Sequence, residues 1–234
     1  MPKLTVLGAA LALVLAIPAG AQEPPGATFA PAPPGAVVQS QLVYLAGEAM
    51  HSQWRAVASK REVGASGGET FYQWYLSIYA IDGTTYRLKY QSPGNGGPLS
   101  RVEKANGASM WFPAQSLQIT GAAELMQPGV QQLVVASHET GADCGSATVS
   151  VFATDGHGNV VPAVSLQNGC DLRPTIVHGS KGDTLRLDGP YYAADAPMCC
   201  PTKPKASAVL RYAGGKWTLT PPYYQLFVGK LPPE

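Results

Sequence analysis

The chain has 234 residues, with 16 Lys and Arg against 15 Asp and Glu, and charged residues make up only 13% of it. So sparse and balanced a charge set excludes partners that demand clustered cations, nucleic acid and anionic membrane alike; the nearest approach to a basic patch is Lys203-Pro204-Lys205. Disorder is excluded as well, because 26 Gly and 21 Pro are interleaved with 11 Tyr and 4 Trp among short Val, Ile and Thr runs, a turn-rich β composition.

Residues 1–21 read as a signal peptide: Lys3 precedes the apolar run Leu4 to Ile17, and Ala19-Gly20-Ala21 supplies small side chains for cleavage. The mature chain then begins at Gln22 and, having lost Lys3, carries no net charge; no membrane insertion is expected after cleavage. Residues 22–38 read as a Pro-rich linker. From Glu23 to Ala36 the prolines lack donors and fix φ, so neither a helix nor a paired strand is expected there. Residues 39–234 read as a single β-rich domain. Its one helical candidate is Gln39 to Lys60, where Met50, Trp54 and Val57 recur at helical spacing. Gly64-Ala65-Ser66-Gly67-Gly68 matches G-x-S-x-G, the nucleophile turn of hydrolases. Polar Lys60-Arg61-Glu62 before it and an aromatic strand after it point instead to a flexible glycine loop.

The clearest local element is the hairpin Thr70 to Gln91, turning at Ile81-Asp82-Gly83. A three-residue loop with Gly83 left-handed sets Ile78 against Tyr86, Leu76 against Leu88 and Trp74 against Tyr90, which makes one face wholly apolar. The other face then carries Tyr75 and Tyr79 beside Arg87 and Lys89. Two tyrosines about 13 Å apart on a strand suit stacking on several sugar units, so this face is the first candidate binding surface. Ser92 to Pro98 leads out of the hairpin, either as a strand connection or as a subdomain boundary. Strands are expected at Gln115 to Thr120 and Gln131 to Ser137. His138-Glu139 opens like a zincin motif, but Ala142 stands where the second histidine would be.

A second hairpin spans Ser146 to Gln167 around Thr154 to Asn159. Pairing Ala153 with Val160 puts Val151 opposite Pro162 and Val149 opposite Val164. Continued outward, it brings Cys144 near Cys170, provided that Gly145 and Gly169 break the pleat. In an exported protein the four cysteines are expected to be oxidised. Among the pairings open to them, Cys144–Cys170 is favoured, with Cys199–Cys200 as the remaining vicinal pair. Pro197 and Pro201 place Cys199 and Cys200 in an irregular loop rather than at a helix N-terminus, so bracing is preferred to redox chemistry. Together with Tyr191, Tyr192 and Met198, that stiff ring forms a second candidate ligand-contacting lip. Thr184 to Asp188 leads into this loop, and Ala206 to Tyr212 returns through Ala213-Gly214-Gly215 into Lys216 to Thr220.

These elements make the chain all-β, an antiparallel sandwich, open barrel or partial propeller of short hairpins with one short helix at most. His51, His138, His157 and His178 are dispersed without ligand spacing. No metal, cofactor or catalytic residue is therefore assigned.

Leu117 through Phe152, with Ile119-Thr120-Gly121, Gln132-Leu133-Val134-Val135 and Thr148-Val149-Ser150-Val151-Phe152, resembles a degenerate FG-GAP or VCBS-type blade. In that family an acidic loop before the Leu-Val-Val strand binds calcium; here Gly121 to Gly129 offers only Glu124. The second half, with Asp195 to Pro201, Ala208 to Tyr212 and Gly214-Gly215-Lys216-Trp217, resembles secreted bacterial proteins of the LppP/LprE-like kind. That resemblance implies residence in the envelope without the lipid-accepting cysteine found in some of them. The expected role is binding or structural, in the periplasm or secreted, with a neutral polysaccharide or another envelope protein as partner. A secreted hydrolase whose site assembles only in the fold is the alternative.

Overall fold

A computed structural model describes residues 25–45, 52–66, 69–92, 102–103, 109–110, 114–139, 146–155, 157–168, 171–180, 182–191 and 203–220. Fifteen strands occur in chain order: β1 (Thr28–Ala30), β2 (Ala36–Leu45), β3 (Ser52–Ser66), β4 (Glu69–Asp82), β5 (Thr85–Gln91), β6 (Val102–Glu103), β7 (Ser109–Met110), β8 (Ala114–Gln127), β9 (Val130–Glu139), β10 (Ser146–Thr154), β11 (Val160–Asn168), β12 (Arg173–Val177), β13 (Thr184–Tyr191), β14 (Lys203–Ala213) and β15 (Lys216–Thr220). The chain is all-β, and among the described residues none of its sheets closes into a barrel. The first sheet runs β1-β5-β4-β3-β2, the second β11-β10-β9-β8, the third β12-β13-β14-β15, with β6-β7 as a separate pair.

The second sheet is the middle layer of a sandwich. Leu133 and Val135 pack into one core with Trp54, Ala56, Leu76 and Ile78 of the first sheet. Their neighbours Val134 and Ala136 pack into another core with Leu185, Leu187, Ala208 and Leu210 of the third. A strand buried on both faces has no alternation to show, which is why β9 reads as the continuous run Leu-Val-Val-Ala.

β8 serves both cores by changing face midway. Leu117 and Ile119 point into the first core and Ala123 and Leu125 into the second, although all four are odd-numbered. A register shift between Ile119 and Gly121 inserts the extra residue that inverts the alternation. A Cβ on Gly121 would stand 2.8 Å from Ile176 Cδ1 of β12, so glycine permits the close approach of the third sheet.

Glutamine side chains hold these irregular edges. Gln39 bonds both ways to the backbone of Ile119, its Nε2 donating to the carbonyl at 2.7 Å and its Oε1 accepting from the amide at 2.8 Å. Gln131 Oε1 accepts from Tyr44 N at 3.0 Å. Gln132, fully buried, accepts from Leu125 N and Met126 N at 2.7 and 2.9 Å, where a second register shift has taken those amides off β9.

Several sequence expectations are corrected here. The described residues of the helical candidate Gln39 to Lys60 belong instead to β2 and β3, paired from Ala36↔Lys60 to Leu45↔Ser52, while Met50 lies outside them. Trp54 and Val57 look helically spaced because both faces of β3 are buried. Within the Pro-rich stretch, Thr28–Ala30 pairs parallel with β5, so the linker's C-terminal part belongs to the fold. Prolines flank this strand and do not interrupt it. The first hairpin turns at Gly83-Thr84, with Gly83 at φ 61° and Asp82 kept in the strand, its carboxylate 2.5 Å from Arg87 Nε. Tyr79 therefore faces Leu88 and Ile78 faces Tyr90, a bulge at Lys89 separating the two pairs. In the second hairpin Thr154↔Val160 closes the loop, and the extra residue Ala163 shifts the rest to Val151↔Val164 and Val149↔Leu166. Asp155 holds that loop, accepting from the amides of His157 and Asn159 at 2.9 and 3.1 Å. Gly64, Ala65 and Ser66 continue β3 rather than forming a loop. Glu124 lies within β8.

The outer face of the first sheet is closed. The seven-residue segment from Ala30 to Ala36 joins the two edges of the five-stranded sheet, a reach of about 20 Å. Four inter-strand steps consume about 19 Å of that before any displacement along the strands, so the sheet curls toward this strap. Phe29 caps the curl, 4.8 Å from the Tyr79 ring and 5.0 Å from the Tyr86 ring between centroids. Arg55 sits over the Tyr86 ring at 5.5 Å although β4 lies between their strands. Val57, Ser59, Tyr75, Ser77, Tyr79 and Tyr86 are all buried on this face.

Candidate functional site

Tyr75 and Tyr79 are 6% and 0% exposed, so the first candidate surface is a packed interior. Tyr75 donates its hydroxyl to Gln73 Oε1, and Gln73 also takes Arg61 Nη2 at 2.8 Å. Burial pushes the Tyr79 phenol above its ordinary pKa, an effect the nearby Ser77 hydroxyl partly offsets. Of the second candidate, the backbone of Tyr191 ends β13 opposite Lys203. Tyr192, Met198, Cys144, Cys170, Cys199 and Cys200 lie outside the described residues, as do residues 1–24 and 93–101.

A cleft of about 440 Å³ opens where the end of β8, the β12–β13 turn and the end of β14 meet. The described residues of the turn are His178, Gly179, Ser180, Gly182 and Asp183, with Lys181 outside them, and its glycines are sterically required. A Cβ on Gly179 would stand 2.8 Å from the carbonyl of Gly182, and Gly182 itself adopts φ 106°. Asp183 ties this turn to β8: its amide donates to Glu124 O at 3.1 Å, and its Oδ2 accepts from Glu124 N at 2.9 Å. Its other oxygen lies 3.0 Å from His178 Nδ1, with the Asp183 side chain 12% exposed and that of His178 74% exposed.

Burial works to raise the Asp183 pKa. The Glu124 amide and the hydrogen bond and charge of His178 outweigh it and hold the carboxyl below its ordinary value. An ionised Asp183 can only accept, so His178 donates from Nδ1 and its Nε2 is left for a ligand. The second carboxylate on the wall, Glu124, accepts the Gly129 amide at 2.9 Å. Arg211, Tyr212, Ser180 and Thr184 complete the polar lining.

A second cavity of about 500 Å³ lies at the far end of β12–β14. Its acids are engaged, Asp171 with Arg173 at 2.8 Å and Asp188 with Arg186 Nε at 2.9 Å and the Ser207 hydroxyl, and exposed Lys205 also stands on its wall. Among the described residues no group of three or more His, Cys, Asp or Glu side chains is placed to hold a metal ion, and no helix is long and apolar enough to cross a membrane.

Sequence reading sets His178 aside among dispersed histidines and does not single out Asp183. Their only local signal is a His and an Asp bracketing two glycines between strands, and Glu124, which completes the arrangement, is 59 residues from Asp183. No family model matches the chain, and no curated protein or solved structure matches it either.

Proposed function

We propose that this chain is an exported domain of the bacterial envelope, periplasmic or secreted, that binds a small sugar-like ligand in the cleft between β8, β12–β13 and β14. Export rests on the composition of residues 1–21, and the likeness to LppP/LprE-like secreted proteins fits the same location. The observation that carries the binding reading is the His178–Asp183 pair. A largely buried carboxylate, anchored on the backbone of another sheet, presents an exposed imidazole in a cavity of ligand-accommodating size. Sugars suit a cleft whose free groups are hydroxyls, imidazole and guanidinium beside the half-buried Tyr212 and Met126. The test is a titration of isotope-labelled protein with monosaccharides and disaccharides, followed through the amides of Gly182, Asp183 and Thr184. Shifts confined to these amides and lost in His178→Ala support the reading; shifts elsewhere on the domain, or none, overturn it.

The same pair favours one second reading, a secreted hydrolase. A carboxylate that orients an imidazole is the support a general base needs. Turnover of chromogenic esters or glycosides that His178→Ala abolishes, with an unchanged melting temperature, would establish it.

A further inference from the structure

We infer that the ligand of this cleft bears a carboxylate on a hydroxyl-rich body, as a hexuronic acid does; the inference rests on the cleft being the binding site proposed above. The groups that the cleft leaves unengaged are its basis. Both acids on the wall are committed within the protein, Glu124 to the Gly129 amide and Asp183 to the Glu124 amide and His178. What remains for a ligand is a set of donors and hydroxyls: Arg211, Ser180, Thr184 and the outer nitrogen of His178.

Arg211 differs from the other described arginines of the third sheet and of the first hairpin, which hold carboxylates; Arg55 and Arg61 of β3 are bonded instead to Ser40, Tyr86 and Gln73. Arg87, Arg173 and Arg186 each hold an aspartate, at 2.5, 2.8 and 2.9 Å. Arg211 has no acidic partner among the described residues, and it stands on the wall of the cleft. A guanidinium is planar and offers paired N–H groups, so its best small-molecule complement is the two oxygens of a carboxylate. A neutral sugar would offer that fork only single hydroxyl contacts, not the paired oxygens it is shaped for. A bare carboxylate such as acetate would leave Ser180, Thr184 and most of the volume unused.

The experiment titrates labelled protein with glucuronate, glucose and acetate in the wild type, in Arg211→Gln, and in Arg186→Gln as a control for loss of a cation from the same sheet. Glucuronate is expected to shift the Gly182, Asp183 and Thr184 amides with an affinity about tenfold or more above that of glucose or acetate. That preference should fall about tenfold in Arg211→Gln and persist in Arg186→Gln. Glucose binding the cleft as tightly as glucuronate, or glucuronate binding unchanged in Arg211→Gln, overturns the carboxylate inference while the cleft stands as the site. Acetate matching glucuronate overturns the hydroxyl-rich body. No response of the cleft to glucuronate, glucose or acetate, with disaccharides equally silent, removes the binding reading itself.

Discussion

The outer faces of the first and third sheets occupy equivalent positions at the two ends of the stack, yet one is an interior and the other a surface. On the first, Val57, Ser59, Tyr75, Ser77, Tyr79 and Tyr86 are buried beneath the strap that carries Phe29. On the third, Arg173, Thr175, Arg186 and Arg211 are exposed. The strands carry that difference in composition. β13 alternates as Thr-Leu-Arg-Leu-Asp, one face for the core and one for water. β4 reads Trp-Tyr-Leu-Ser-Ile-Tyr, with large side chains on both. Tyrosine on a strand therefore does not by itself report a wet face, and even Arg55 and Arg61 beside the Tyr86 and Tyr75 rings leave them buried.

The largest expected effect breaks the buried face. Tyr79→Ala removes a fully buried ring that contacts Phe29 and should cost about 3–5 kcal/mol in urea unfolding, with Phe29→Ala costing less because Phe29 is only half-buried. A loss below about 1 kcal/mol for Tyr79→Ala would mean that the strap does not close this face. The same residue predicts an alkaline dependence. Its folded pKa is raised above the ordinary 10.0, so the stability it contributes is whole below that value and is lost as pH rises through the folded pKa. Tyr79→Phe should flatten the fall in stability above about pH 10.

Next in size is the contact between the middle and third sheets. Gly121→Ala puts a side chain on a backbone at φ 155° and drives its Cβ against Ile176 Cδ1; it should cost about 1–3 kcal/mol, of which Ile176→Val recovers the packing part in the double mutant. Additive costs in that cycle would show that the whole cost is the backbone strain at Gly121 and none of it the packing of the two sheets.

Where one face is core and the other solvent, the elements are legible in the sequence: β10, β13, β14 and β15 lie where period-two alternation and paired glycines put them. Gly214 and Gly215, at φ 59° and 82°, form the turn their spacing implies. Legibility fails where both faces are buried. Trp54 and Val57 imitate a helix because one fills each core of the first sheet, and Tyr75 and Tyr79 imitate a binding surface for the same reason. Registers fail at bulges such as Ala163 and Lys89, which tertiary packing selects and local propensity does not mark. The cleft was illegible for a simpler reason: Glu124, Asp183 and Arg211 come from three strands or turns of two sheets, and only the fold brings them together.

A smaller effect should appear in acid at the cleft. The Asp183 carboxyl is held below its ordinary pKa, so its contribution is present at neutral pH and above. It is lost as pH falls from the usual carboxylate range through the folded pKa. Asp183→Asn should be less stable than the wild type at pH 7 and should lose less on acidification, the two curves converging at low pH. Parallel curves would mean that Asp183 titrates alike in the folded and unfolded chains and that its tie to Glu124 does not depend on charge.

The smallest effect is expected where the open face looks most strongly bonded. Arg186 Nε lies 2.9 Å from Asp188, but the two side chains are 49% and 35% exposed, so water screens the attraction and competes for both groups. Holding a long arginine in one rotamer also costs side-chain entropy, which offsets much of what remains. Arg186→Ala should therefore change unfolding free energy by no more than about 0.5 kcal/mol. Asp188→Ala should cost more, because Asp188 also takes the Ser207 hydroxyl across the β13–β14 pair. An Arg186→Ala loss above about 1.5 kcal/mol would require the pair to be desolvated, and hence the outer face of the third sheet to be covered in solution as that of the first is.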